Sequence, residues 1–194
     1  DQGGTEAQRY LGMIYFTGKG VKQNYSSASE WYNKAAKQGD DYAQFWLGVL
    51  YSKGLGIKQD NNEALKWYTK VAVRGHVEAQ YNLGEMYYHG LWVEQNSTVG
   101  LEWYNRAASQ GHVEAQYTLG RMCHIEQNSD KALEWYTRAA DQGHIKAQTA
   151  LGMIYYGGLR VKQDYKKALQ YLVGAADQGG TEAQRYLGMI YFTG

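Results

Sequence analysis

The dipeptide Ala-Gln recurs along this chain at Ala7, Ala43, Ala79, Ala115, Ala147 and Ala183, in steps of 36, 36, 36, 32 and 36 residues. That period constrains the fold more than any other feature. A unit of this length cannot bury an apolar face by itself, so neighbouring units must stack and share a core. The expected units are 1–36, 37–72, 73–108, 109–140 and 141–176, with a half unit at 177–194. They make one array without linkers or a second domain. Proline is absent and tyrosine occurs 19 times, as expected of one short template copied along a chain.

Each unit reads as two helices. In the first half, Ala7, Leu11, Gly12 and Tyr15 fall at spacings of three and four, one helical face. Gly18, Gly54, Gly90 and Gly157 follow, where a left-handed residue can end the helix. After a short loop comes Asn24, Asp60, Asn96, Asn128 or Asp164, side chains that accept from free N–H groups at a helix start. Asp60 with Glu63 fits a capping box. The second helix carries Ala28, Trp31, Tyr32, Ala35 and Ala36 in the first unit, and Gly39, Gly75, Gly111, Gly143 and Gly179 close the series. The spacing predicts helices near 5–16 and 25–37, with equivalents in every unit. Gly12, Gly48, Gly84, Gly120, Gly152 and Gly188 sit inside first helices. Each costs about 1 kcal/mol against alanine, which points to close approach by a bulky neighbour.

The pattern A…LG…Y…G…V…D…A…WY…AA…QG resembles the SEL-one-like repeat family, relatives of tetratricopeptide repeats, over the whole chain. The resemblance implies an all-α fold: a right-handed α/α superhelical solenoid of five helix-pair repeats plus one extra helix. It also implies a scaffold for protein–protein contacts. Two departures stand out. Unit 109–140 lacks four residues between its helices, with Cys123 to Gln127 standing where its neighbour has Tyr87 to Gln95. Tyr171-Leu172 replaces the usual Trp-Tyr pair.

Positions that repeat belong to the scaffold; positions that vary at one helical angle are candidates for function. One such stripe on the first helices holds Arg9, Met13, Phe16, Phe45, Val49, Ser52, Tyr81, Glu85, Tyr88, Tyr117, Arg121, His124, Thr149, Met153 and Tyr156. In the resembling families first helices line the concave face. The mixture of aromatic, aliphatic and charged groups suits a partner protein or peptide, another copy of the array, or a partly buried inner wall with no partner.

No catalytic, cofactor or metal site is expected. His76, His112 and His144 occupy one position in three successive units, too far apart to share an ion, and read as residues of inter-helix turns. Cys123 takes a tyrosine position and reads as a small buried hydrophobe. Its neighbour His124 points elsewhere on a helix. No recurring pair of carboxylates suits acid–base chemistry. Basic and acidic residues number 20 and 19, which argues against a nucleic-acid surface. No segment is apolar for long enough to insert in a membrane.

Asn24-Tyr25-Ser26 and Asn96-Ser97-Thr98 match glycosylation sequons. Their first reading is as helix caps; a glycoprotein reading has both sugars projecting from one edge. The compartment stays open, an exported one being favoured if the sequons are used. The chain begins at Asp1 rather than Met, as a fragment or mature segment would.

Residues 1–18 and 177–194 are identical, whereas 141–158 matches 1–18 at 11 of 18 positions. Sister units drift, so the perfect copy needs its own cause. A solenoid that stops requires polar end units, and both extremities here are ordinary first helices. Leu11, Leu187, Met189, Ile190 and Tyr191 are then candidates for end-to-end contact. The expectation is a window onto a longer tandem array of 176-residue period, continuing into a superhelical filament through the chain itself or by head-to-tail assembly. The alternative is a discrete adaptor that binds a partner on its concave face.

Overall fold

A computed structural model describes residues 2–158 and 161–193, and among them there are eleven α-helices and no strand. In chain order they are α1 (Gln2–Thr17), α2 (Tyr25–Lys37), α3 (Asp41–Lys53), α4 (Asn61–Ala72), α5 (Val77–His89), α6 (Ser97–Ser109), α7 (Val113–Ile125), α8 (Ser129–Asp141), α9 (Ile145–Gly157), α10 (Tyr165–Asp177) and α11 (Thr181–Thr193). They fall into two compact units, Asp1–Trp103 and Tyr104–Gly194, divided within α6.

Within each unit, successive helices pack on one another: α1 to α5 in the first, α7 to α11 in the second. The reason lies in the two interfaces each first helix makes. On one side, Gly12, Gly48 and Gly120 let the rings of Tyr32, Tyr68 and Tyr136 lie directly on the helix; Leu172 does the same at Gly152. A Cβ at any of the four would sit under 3 Å from that side chain. On the other side, the repeated Ala-Gln acts. Ala43, Ala79, Ala115, Ala147 and Ala183 are fully buried. The neighbouring Gln44, Gln80, Gln116, Gln148 and Gln184 donate Nε2–H to the carbonyls of Ala36, Ala72, Ala108, Ala140 and Ala176, at 2.8–3.2 Å. Those carbonyls end the preceding helix, where intrahelical partners run out.

The caps form where Asn and Asp stand. Asn24, Asp60, Asn96, Asn128 and Asp164 each accept from a backbone N–H of the following turn. The capping box at Asp60 is half made. Its backbone N–H is already taken by the Tyr51 carbonyl at 3.1 Å, so Glu63 turns instead to Lys66 Nζ at 2.6 Å. The left-handed cap of α9 is Gly158, at φ 63°, rather than Gly157, which is still helical. In the shortened unit, Gln127 takes the left-handed conformation at φ 65°, and Asn128 N–H still reaches the Cys123 carbonyl at 2.8 Å. The helix pair therefore closes as its longer relatives do.

Candidate functional site

Two grooves open on the first helices, one in each unit. The first has a volume of about 380 Å³ and lies between α3 and α5 over Tyr68 of α4. Phe45, Val49 and Met86 give it an apolar floor, with Glu78, Asn82 and Glu85 along α5 and Lys53 at the end of α3. The Phe45 ring is held from three sides: stacked on His76 at 4.5 Å, against Trp46 at 5.6 Å and against Tyr68 at 5.8 Å. Trp46 Nε1 is buried and has no hydrogen-bond partner.

The loop after α5 supplies the remaining wall, Leu91 and Trp92. Trp92 stands where other units have Gly20 and Gly56, both left-handed, and adopts the same backbone at φ 67°. That conformation is unfavourable for a bulky residue. The side chain is nonetheless 44% exposed, so the fold does not use it as core.

The second groove, of about 400 Å³, runs between α7, α9 and α11 over Tyr136 of α8. Tyr117, Met153 and Tyr186 line it, with Lys146, Glu182 and His124 as its ionisable groups. Tyr117 packs on His144 at 4.5 Å and on Tyr136 at 6.0 Å, and carries Arg121 over its face at 5.9 Å. Burial raises the Tyr117 hydroxyl above its ordinary value and pushes Tyr136 up to about 12, so both remain neutral hydrogen-bonding groups.

The structure thus divides the variable stripe. Phe45, Val49, Ser52 and Glu85 line the first groove; Tyr117, His124, Thr149 and Met153 line the second. Val49, Ser52 and Thr149 are themselves buried and offer little surface. Phe16 and Tyr156 pack on Tyr25 and Tyr165, the first residues of the following helices, at 5.4 and 5.7 Å. Arg9 bridges Glu6 and Asp40 at 3.2 and 3.3 Å. Met13 packs against the core cluster of α2 and α3. Tyr81, Tyr88 and Arg121 line neither groove. Trp92 and Leu91 were missed from sequence because the loop was read as a connector. The signal was there, in a tryptophan where sister units carry glycine.

Of the end-contact residues, Leu11 is half-buried, and Leu187 and Ile190 pack against the cluster of Leu172, Ala175 and Ala183. Met189 and Tyr191 are exposed, as is the neighbouring Phe192. Asn24 and Asn96 are exposed caps whose Oδ1 atoms accept from Ser27 and Val99 N–H. Cys123 is half-buried beside the α8–α9 cluster, and burial raises its thiol. Among the described residues no group of three or more His, Cys, Asp or Glu could hold a metal ion. No helix among them is long and apolar enough to cross a membrane.

The family model described as "Sel1 repeat" matches residues 5–40, 41–76, 77–112, 113–144, 145–180 and 181–194. Among solved structures, the chain is similar to c5321, a protective antigen present in uropathogenic Escherichia coli strains and displaying an SLR fold. Identity is 36% and the TM-score 0.85; the match covers 99% of this chain and 42% of that one. It therefore spans well under half the length of that relative. A Sel1 repeat protein from Oxalobacter formigenes is 32% identical at a TM-score of 0.88, over 96% of this chain and 78% of the other. The immunity protein Pa5087 from Pseudomonas aeruginosa is 26% identical at a TM-score of 0.58, over 92% and 67%. No curated protein matches the chain by sequence.

Proposed function

The chain belongs to the Sel1-repeat family, and from that premise we propose that it binds a partner protein or peptide through the grooves on its first helices. Proteins of this family are typically interaction scaffolds, and the family is generally non-catalytic. The observation that carries the reading is Trp92: a large aromatic held exposed, in a backbone conformation that disfavours it, on the wall of an apolar groove. Exposed tryptophans on such walls are frequent centres of binding energy.

The test is selection of a displayed peptide library on the purified chain, followed by affinity measurement against Trp92→Gly. That variant restores the loop residue of the sister units, so it should fold. The expected result is at least a tenfold loss of affinity with an unchanged melting temperature. Ligands that bind both proteins equally would remove the groove's main support.

Continuation as a longer array is a second reading, favoured by Gly188. Residues 178–193 repeat 2–17. Tyr32 covers Gly12, yet nothing lies within 4 Å of a Cβ on Gly188. The vacant face therefore matches a second helix such as α2, rather than another first helix. A synthetic peptide of residues 19–40 should bind the chain, and Gly188→Phe, which fills the open face, should abolish binding. Absence of binding by the unsubstituted chain counts against this reading.

A further inference from the structure

Asp40, His76, His112 and His144 hold one position in four turns, the N-caps of α3, α5, α7 and α9. Their backbones agree closely, with φ between −63° and −67° and ψ between 107° and 115°. Asp40 Oδ1 accepts from Ala43 N–H at 2.7 Å. The three imidazoles do the same work through Nδ1, accepting from Ala79, Ala115 and Ala147 N–H at 3.3, 3.1 and 3.1 Å. A ring nitrogen accepts only when it carries no proton, so each cap requires the neutral imidazole with its proton on Nε2. Protonation would turn the acceptor into a second donor facing the backbone donor. It would also place a positive charge at the positive end of a helix.

We propose that His76, His112 and His144 make the starts of α5, α7 and α9 an acid-sensitive joint, in which protonation of the rings opens the three Nδ1 caps while the Asp40 cap of α3 holds. This inference concerns the caps of the turns rather than the groove walls, and it meets the first groove only where His76 stacks on Phe45.

The surroundings of each ring keep it in place. His76 stacks on Phe45 of α3. The carboxylates bearing on it are Asp41 of α3 and Glu78 of α5, which favour its charged form; burial outweighs both and lowers its pKa. His144 lies against Tyr117 of α7 at 4.5 Å, and its Nε2–H donates to Glu114 of α7 at 3.0 Å. Arg138 and Asp141 in the last turn of α8 and Lys146 in the first turn of α9 are the other charged residues of its flanking helix ends. His112 caps α7, whose first turn carries Glu114. His76, lowered by burial, binds fewer protons in the folded chain than in the unfolded one. Its stability contribution is whole above the unfolded pKa and is lost as pH falls through the interval down to the folded one.

The experiment is native-state hydrogen exchange on the 194-residue chain at pH 7.5 and 5.5, read as protection factors at the cap amides. Ala79, Ala115 and Ala147 should lose at least tenfold in protection relative to Ala43, whose Asp40 cap is the internal control. An unchanged ratio overturns the proposal. In parallel, thermal unfolding compares the chain with His76→Asn/His112→Asn/His144→Asn, whose amide oxygens cap at every pH. The midpoint of the unsubstituted chain should drop by about 5 °C or more over that range, and that of the variant by less than half as much. Equal drops overturn it. If the triple variant does not fold, ring nitrogen NMR on the unsubstituted chain decides: a proton on Nε2 at pH 7.5 supports the proposal and a proton on Nδ1 defeats it.

Discussion

Gly48 and Gly188 occupy one repeat position and meet opposite surroundings. A Cβ on Gly48 would lie 2.7 Å from the Tyr68 ring, which sits in the core; on Gly188 it would meet open space. Gly48→Ala should therefore destabilise by about 1–3 kcal/mol through overpacking. Gly188→Ala should be neutral, or stabilise by up to about 1 kcal/mol, because alanine is the better helix former. Urea unfolding of the two variants checks the pair. The close approach was legible, since six glycines inside helices needed a steric cause. Which side chain fills each gap was not legible, because it lies 16 or 20 residues away on another helix. At Trp92 the logic reverses: glycine is the comfortable residue there, and the exposed indole lies outside the core.

At the scale of the helix, the Ala-Gln pair ties each first helix to the carbonyl end of the one before it. Gln80 is 4% exposed and donates to the Ala72 carbonyl at 3.0 Å. Gln80→Leu leaves that carbonyl without the amide, at a cost of about 1–3 kcal/mol. The same change at Gln184, which is exposed, should cost clearly less, since water can replace the amide. Denaturant midpoints of the two single variants test the contrast. Likewise Asp60→Ala removes an acceptor shared by Asn62 and Glu63 N–H and should cost about 1 kcal/mol. The Asn and Asp caps could be read from composition alone, as these residues commonly begin helices. The histidine caps could not. Histidine is no habitual cap, and only the shared geometry with Asp40 reveals the role.

At the scale of the molecule, the side chains of the variable stripe have different surroundings. Part of it lines two grooves, part packs on the following helix, and part is core. Phe45→Ala should weaken ligands of the first groove, and leave the melting temperature lowered, because Phe45 also packs on Trp46, Tyr68 and His76. Trp92→Gly should weaken the same ligands without that penalty. Comparing affinities and melts of the two variants separates binding from support. On α11, exposed Met189, Tyr191 and Phe192 surround the vacant Gly188 face. Light scattering of the chain over a wide concentration range should show association that Gly188→Phe suppresses, if that face recruits a second copy.

The sequence by itself determined the period, the helix pair, the Asn and Asp caps and the family, because each depends on residues a few positions apart. It also marked a stripe of variable side chains on the first helices. Only the tertiary structure decided which stripe residues face open grooves, that Trp92 belongs with them, and that three histidines cap helices through Nδ1. Those outcomes depend on side chains from three or four helices meeting at once. A repeating pattern says that helices stack; the rotation of each against its neighbours sets which of its variable side chains remain in reach of a partner.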